Sequence, residues 1–157
     1  MEKFKRWFKR VFITGTNYKI KIKLHDKESL PIKFNKGNWI DLIVSDSYEF
    51  KTGDFIMVDF GISLELPKYH EAIIASRSST FKNYGIILTN GIGIIDDSYN
   101  GDNDVWKGIY YCTRDGKIEK GSRIAQFRIQ KNQPELFFDI VDTLDNNNRG
   151  GYGTSGV

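Results

Sequence analysis

Cysteine occurs once in these 157 residues, at Cys112, and histidine only twice, at His25 and His70. One thiol cannot close an internal disulfide, and there is neither a Cys-x-x-Cys pair nor a His cluster of the kind that holds zinc. With no secretory leader in view, this usage fits a reducing, cytoplasmic setting. Apolar runs are short, none approaching the roughly 20 residues that a membrane-spanning helix needs. Clustered positive charge is also scarce in the body of the chain. The net charge is +3, but residues 1–12 carry Lys3, Lys5, Arg6, Lys9 and Arg10 against Glu2, so the remainder is slightly acidic. A near-neutral body lacks the basic face that phosphate backbones require, and no stable nucleic-acid binding is expected.

What is present reads as one all-β domain with two appendages. Phe4, Trp7, Phe8, Val11 and Phe12 recur at helical spacing opposite the cations, which predicts a basic amphipathic helix over residues 1–12. That helix either packs on its own assembly or contacts a protein or an anionic membrane surface. Residues 13–17 link it to the domain, so residues 1–17 form the first segment. From Lys19 the period switches to two. Residues 19–24, 55–60, 105–111, 123–129 and 136–141 are β-rich runs bounded by turn signals at 35–37, 51–54, 114–116 and 120–121. Short strands at this spacing indicate a sandwich or jelly roll over residues 18–145. Residues 146–157 hold Arg149, Tyr152, two hydroxyls and several glycines with little to bury, so this tail is expected to stay mobile until a ligand orders it.

Three segments carry chemistry. Residues 90–102 are a glycine-punctuated apolar run that delivers Asp96 and Tyr99 three residues apart. The glycines let backbone approach a ligand, and an Asp at the end of such a run can activate water. Its neighbour Asp97 points to the opposite face if the chain is extended, and is expected to be solvated. Ser76-Arg77-Ser78-Ser79 follows the apolar strand 72–75 and offers a guanidinium fork with hydroxyl donors, all phosphate-binding groups. The tail presents the same kind of groups on a flexible carrier.

Taken in order, these segments resemble the five motifs of the trimeric dUTPase family, the dUTP nucleotidohydrolases. Gly37 to Leu42 is similar to the first motif, Ser76 to Ser79 to the second, Asn90 to Gly101 to the third, Gly121 to Gln126 to the fourth, and Arg149 to Gly156 to the fifth. Gly101-Asp-Asn-Asp104 and the short Arg149-Gly-Gly tail are closest to the Bacillus and bacteriophage branch. The resemblance implies a distorted jelly-roll β-barrel and a homotrimer whose sites lie between subunits. It implies hydrolysis of dUTP with Mg²⁺, Asp96 being the base for water attacking the α-phosphorus. Asn90 and the backbone at Ile95 would read uracil, and Tyr99 would pack beneath deoxyribose. Ser78, Ser79 and Gln126 would contact phosphates, Arg77 would help hold them, and Asp41 would reach the metal through water. From the lid, Arg149, Gly153, Thr154 and Ser155 would close over the γ-phosphate while Tyr152 covers uracil.

Five positions depart from the family pattern. Ser76 replaces a usual proline, Ser122 a usual aspartate, Tyr152 the commonest phenylalanine, and Thr154-Ser155 reverses the usual order. They put in question the stiffness of the second-motif loop, the partners of Arg123 and the tightness of lid closure. Two other readings stand beside hydrolysis. A dCTP deaminase, which shares this fold, needs a glutamate on the strand after the third motif, and residues 105–112 contain no acid. The other is a regulatory protein-binding module of the phage type.

Overall fold

The structure, a computed structural model, describes residues 18–33 and 37–151; the expected N-terminal helix and the lid residues Tyr152, Gly153, Thr154 and Ser155 lie outside them. The described chain is mostly β. Its strands are β1 (Lys21–Leu24), β2 (Ile32–Lys33), β3 (Ile40–Leu42), β4 (Tyr48–Phe50), β5 (Phe55–Asp59) and β6 (Ile62–Glu65), then β7 (His70–Ser76), β8 (Ile86–Leu88), β9 (Gly93–Ile95), β10 (Lys107–Cys112), β11 (Gly116–Ile118) and β12 (Ala125–Lys131). Among the described residues a single short helix, α1 (Thr80–Tyr84), follows the second motif.

Strands pair antiparallel throughout the described residues, in four sheets: β1-β6, β5-β10-β8, β11-β4 and β2-β3-β12-β7-β9. These sheets do not close into one barrel, which corrects the barrel expected from the motifs. The run 136–141, expected to be β-rich, is also not a strand. With no neighbouring strand to complete its ladder, it leaves the body with Phe137 and Phe138 each 89% exposed. A strand needs a partner for its backbone groups, and this run has none among the described residues.

The core forms where inward residues of the four sheets meet. Leu42, Val44, Val58, Phe60, Ile62, Ile74, Ile86, Tyr110, Ile118, Ile124 and Phe127 are buried there, and Trp106 stands edge-on to Phe127 with ring centroids 5.1 Å apart. On β10 the alternation is strict, Gly108, Tyr110 and Cys112 facing in. The two histidines hold no ligand-like cluster. His25 Nε2 lies 2.9 Å from Ser63 Oγ, and His70 Nδ1 lies 3.0 Å from the Lys68 carbonyl.

Gly61 makes the corner from β5 into β6. Its φ is +63°, its N–H donates to Asp59 Oδ1 at 2.6 Å, and a Cβ there would stand 2.6 Å from Ser29 Oγ and 2.8 Å from Ser45 Cβ. Both the left-handed backbone and the crowding exclude a side chain. Gly61→Ala is therefore expected to lower unfolding stability by about 1–3 kcal/mol, read from the urea midpoint at unchanged slope. An unshifted midpoint would contradict this account of the corner.

Candidate active site

The five-stranded sheet acts as a ruler for the first, second and fourth motifs. Gln126 on β12 stands opposite Asp41 on β3 and, on its other side, opposite Ala75 on β7. Arg77 leaves the end of β7 one residue past Ser76, and Arg123 enters β12 from the same end. The Arg77 N–H and the Thr80 hydroxyl both donate to the Ile124 carbonyl, at 3.0 and 2.6 Å. That double anchor fixes the Ser-Arg-Ser-Ser loop without the family's usual proline.

Asp41 is the centre of this end. It is only 4% exposed, and a buried carboxylate needs paired charge. Arg77 Nε lies 3.1 Å from its Oδ1 and Arg123 Nη1 3.3 Å from its Oδ2. Arg77 Nη1 also donates to the Arg123 carbonyl at 3.2 Å. Sequence reasoning placed Asp41 and Arg77 in the site but missed this clamp and left the partners of Arg123 open. Two guanidinium groups around one carboxylate leave the cluster one charge positive, suited to an anionic ligand. Gln126 and Ser79 are half-buried nearby in sequence and register, and Ser78 is exposed. Ser79 precedes α1 without spending its side chain on a cap bond.

The third motif is built differently. β9 is the sheet's edge, with Ile95 opposite Ala72, and Asp96 follows at its end. The carboxylate of Asp96 folds back on its own turn, Oδ1 accepting from the Ser98 N–H at 2.8 Å and from the Ser98 hydroxyl. The hydroxyl bond is the largest influence holding this carboxyl below the ordinary aspartate range, with the N–H bond next. Both bonds use Oδ1, and the residue is exposed. Tyr99 is exposed, its hydroxyl 3.4 Å from the Val105 carbonyl, and Asn90 lies in the exposed turn before β9. Asp97 corrects the expectation of a solvated control. Its Oδ2 accepts the Tyr69 N–H at 2.7 Å, pinning the motif to the turn before β7, where Tyr69 has φ +62°.

These two groups do not meet within one chain. Asp96 stands two strands across and about four residues along from Gln126, roughly 15 Å by strand spacing and rise. Arg149 lies on the exposed segment after β12. Among the described residues no three His, Cys, Asp or Glu side chains cluster to hold a metal. Asp41, with one oxygen on each arginine, fits contact with a metal-bound water rather than direct ligation. That agrees with the habit of Mg²⁺ to keep waters and take substrate phosphates.

A mostly-β chain with an Arg–Asp–Arg cluster at one end of an antiparallel sheet and the Asp96 carboxylate at the other has the fold of solved dUTPases. The chain belongs to that family, whose model, dUTPase, matches residues 18–156. It is 47% identical over 139 residues to the SPbeta prophage-derived deoxyuridine 5'-triphosphate nucleotidohydrolase YosS of Bacillus subtilis, covering 88% of this chain and 98% of the relative. It is 32% identical to the deoxyuridine 5'-triphosphate nucleotidohydrolase of Crocosphaera subtropica over 143 residues, covering 87% and 96%. In fold it is similar to the dUTPase of Staphylococcus bacteriophage 80alpha in a G164S form with dUpNHpp, at TM-score 0.71 and 19% identity, covering 88% of this chain and 99% of that one.

Asp41→Asn removes the anion between two guanidinium groups. The arginines keep partial solvent access, so the expected loss of unfolding stability is on the order of 2 kcal/mol, below the range for a fully buried pair. Denaturant titration showing wild-type stability would remove the clamp from the fold's support.

Proposed function

We propose that the chain hydrolyses dUTP to dUMP and pyrophosphate, as a cytoplasmic homotrimer in which each site draws on more than one subunit. The observation that carries this reading is the exposed Asp96 carboxylate, kept ionised at the end of an edge strand with its two Ser98 bonds on Oδ1 and Oδ2 left outside them. An ionised, fixed carboxylate within reach of a water is what attack on an α-phosphorus requires. The 47% identity to a prophage deoxyuridine triphosphate nucleotidohydrolase supports the substrate.

In this mechanism Asp96 Oδ2 takes the proton from the attacking water while Oδ1 stays fixed by Ser98. Arg77, Ser78, Ser79 and Gln126 hold the phosphates, with Asp41 and Arg123 keeping Arg77 in place. Bound Mg²⁺ would neutralise phosphate charge, its waters reaching Asp41. Asn90 and the backbone at Ile95 read uracil, and Tyr99 packs under deoxyribose to exclude a 2′-hydroxyl. Residues Arg149, Tyr152, Gly153, Thr154 and Ser155 close over the nucleotide. The roughly 15 Å between the Gln126 and Asp96 ends supports a shared site, because one α-phosphate cannot touch both within a chain. β10 offers no carboxylate, which disfavours deamination on this scaffold.

Asp96→Asn keeps size and removes the base. Turnover should fall by about 10²–10⁴-fold, with dUTP affinity retained in equilibrium binding with Mg²⁺. Asp97→Asn is the matched control, because the amide oxygen still accepts from Tyr69. Loss of turnover in the Asp97 variant alone would overturn the assignment.

The pH dependence follows from Ser98. A base works only when ionised, and the Ser98 hydroxyl stabilises the ionised form, so it extends activity toward acid. Ser98→Ala should move the acid limb of kcat/KM to higher pH, leaving the plateau rate nearly unchanged. An acid limb that stays in place, or moves lower, would detach Asp96 from the pH profile.

A further inference from the structure

Two hydroxyls beside the second motif are buried without a hydrogen-bond partner among the described residues. The Tyr110 oxygen and Ser76 Oγ are both sealed from solvent, and neither completes a bond. Tyr110 is fully buried, its ring laid over Gly108, where a Cβ would stand 2.7 Å from the ring and 3.2 Å from its oxygen. The place of the phenol is therefore built into β10. Burial pushes the Tyr110 phenol up, and the Ser76 hydroxyl is the one side chain that pulls it the other way, so the two groups face each other. Burying a hydroxyl without a partner is costly, and phenylalanine would fill the same space without that cost. Packing alone gives no reason for the oxygen.

Residue 76 is also where the loop lacks a restraint. The Arg77 N–H donates to the Ile124 carbonyl at 3.0 Å, which makes Ser76 and Ala125 the non-hydrogen-bonded pair of the β7-β12 ladder. On the other side β9 reaches only as far as Ile74. The ladder thus holds residue 76 on neither side, and its inward side chain is what remains. One residue on, Arg77 reaches Asp41. We infer that the Tyr110 and Ser76 hydroxyls close on each other as a positioning pair, Tyr110 donating to Ser76 Oγ, and that this pair sets where the Arg77 guanidinium meets phosphate. Asp41 fixes the guanidinium itself, while the pair fixes the backbone from which it hangs. Tyr110, on a strand outside the five motifs, thereby takes a part in substrate binding, a part that rests on the proposed role of Arg77 in holding phosphate.

The test removes one oxygen at a time and reads KM for dUTP with Mg²⁺ beside inhibition by deoxyuridine, which has the base and sugar but no phosphate. Tyr110→Phe and Ser76→Ala should each raise KM about three- to tenfold, the weight of one hydrogen bond, and leave the deoxyuridine inhibition constant unchanged. Combined, they should do no more than either alone, because each breaks the same bond. Proline at 76 removes no ladder bond, so Ser76→Pro added to Tyr110→Phe should bring KM back toward the wild-type value by holding residue 76 itself. A wild-type KM in either single variant overturns the pair. So do effects that multiply in the double variant, deoxyuridine inhibition weakened to the same degree, or a proline that restores nothing. If the urea midpoint of Tyr110→Phe collapses, Ser76→Ala at the end of β7 decides alone, by the same split between dUTP and deoxyuridine. Arg77→Lys separates the two readings. A raised KM there, with Tyr110→Phe at the wild-type value, sinks the pair and keeps Arg77 on the phosphates. A wild-type KM in Arg77→Lys removes Arg77 from them and overturns the pair's role with it.

Discussion

One carboxylate between two guanidinium groups ties this molecule together. Asp41, Arg77 and Arg123 come from three distant parts of the chain, and their contacts join the end of β7, the entry to β12 and the middle of β3. The clamp depends on register. Gln126 must face Asp41, and Ala125 must face Ser76, for both arginines to arrive on the same side. A slip of one residue in β12 would turn its side chains to the opposite face and leave a buried charge unpaired. The groups that neutralise Asp41 also leave the cluster one charge positive. In the proposed function, folding and ligand binding therefore draw on the same pair of contacts.

The rest of the site is held by backbone more than by side chains. The Ile124 carbonyl takes both the Arg77 N–H and the Thr80 hydroxyl, so the Ser-Arg-Ser-Ser loop is fixed to the entry of β12. Asp97 does the corresponding work for the third motif, holding the Tyr69 N–H. In the proposed mechanism Asp96 and Asp97, adjacent and of one chemistry, divide between reaction and anchoring. The difference is set by where each points from the end of an edge strand.

The strands around residues 21–24, 55–59, 107–112 and 125–131 were legible because two-residue alternation is a local pattern. The order of the five motifs was legible too, since it needs only the sequence. Three matters were not. The Arg123–Asp41 bond spans 82 residues, and no local spacing encodes it. The anchoring role of Asp97 required knowing that the turn at Tyr69 lies beside the third motif. Residues 136–141 have the composition of a strand, but a strand is a pairing, and composition does not supply the partner. The four separate sheets likewise reflect which edges meet, a property of the folded chain.

On the proposed shared site, the distance between the Asp41 end and the Asp96 end has a genetic meaning. When one working centre borrows its phosphate-binding end from one copy and its base from another, damage to the two ends is not the same kind of damage. A chain defective only at Asp96 still lends a sound arginine clamp, and a chain defective only at Asp41 still lends a sound base. Co-expressed in one cell, two such alleles assemble mixed particles in which some centres receive both intact halves. Within a single gene, the opposite ends of one β-sheet then behave as separate complementation groups.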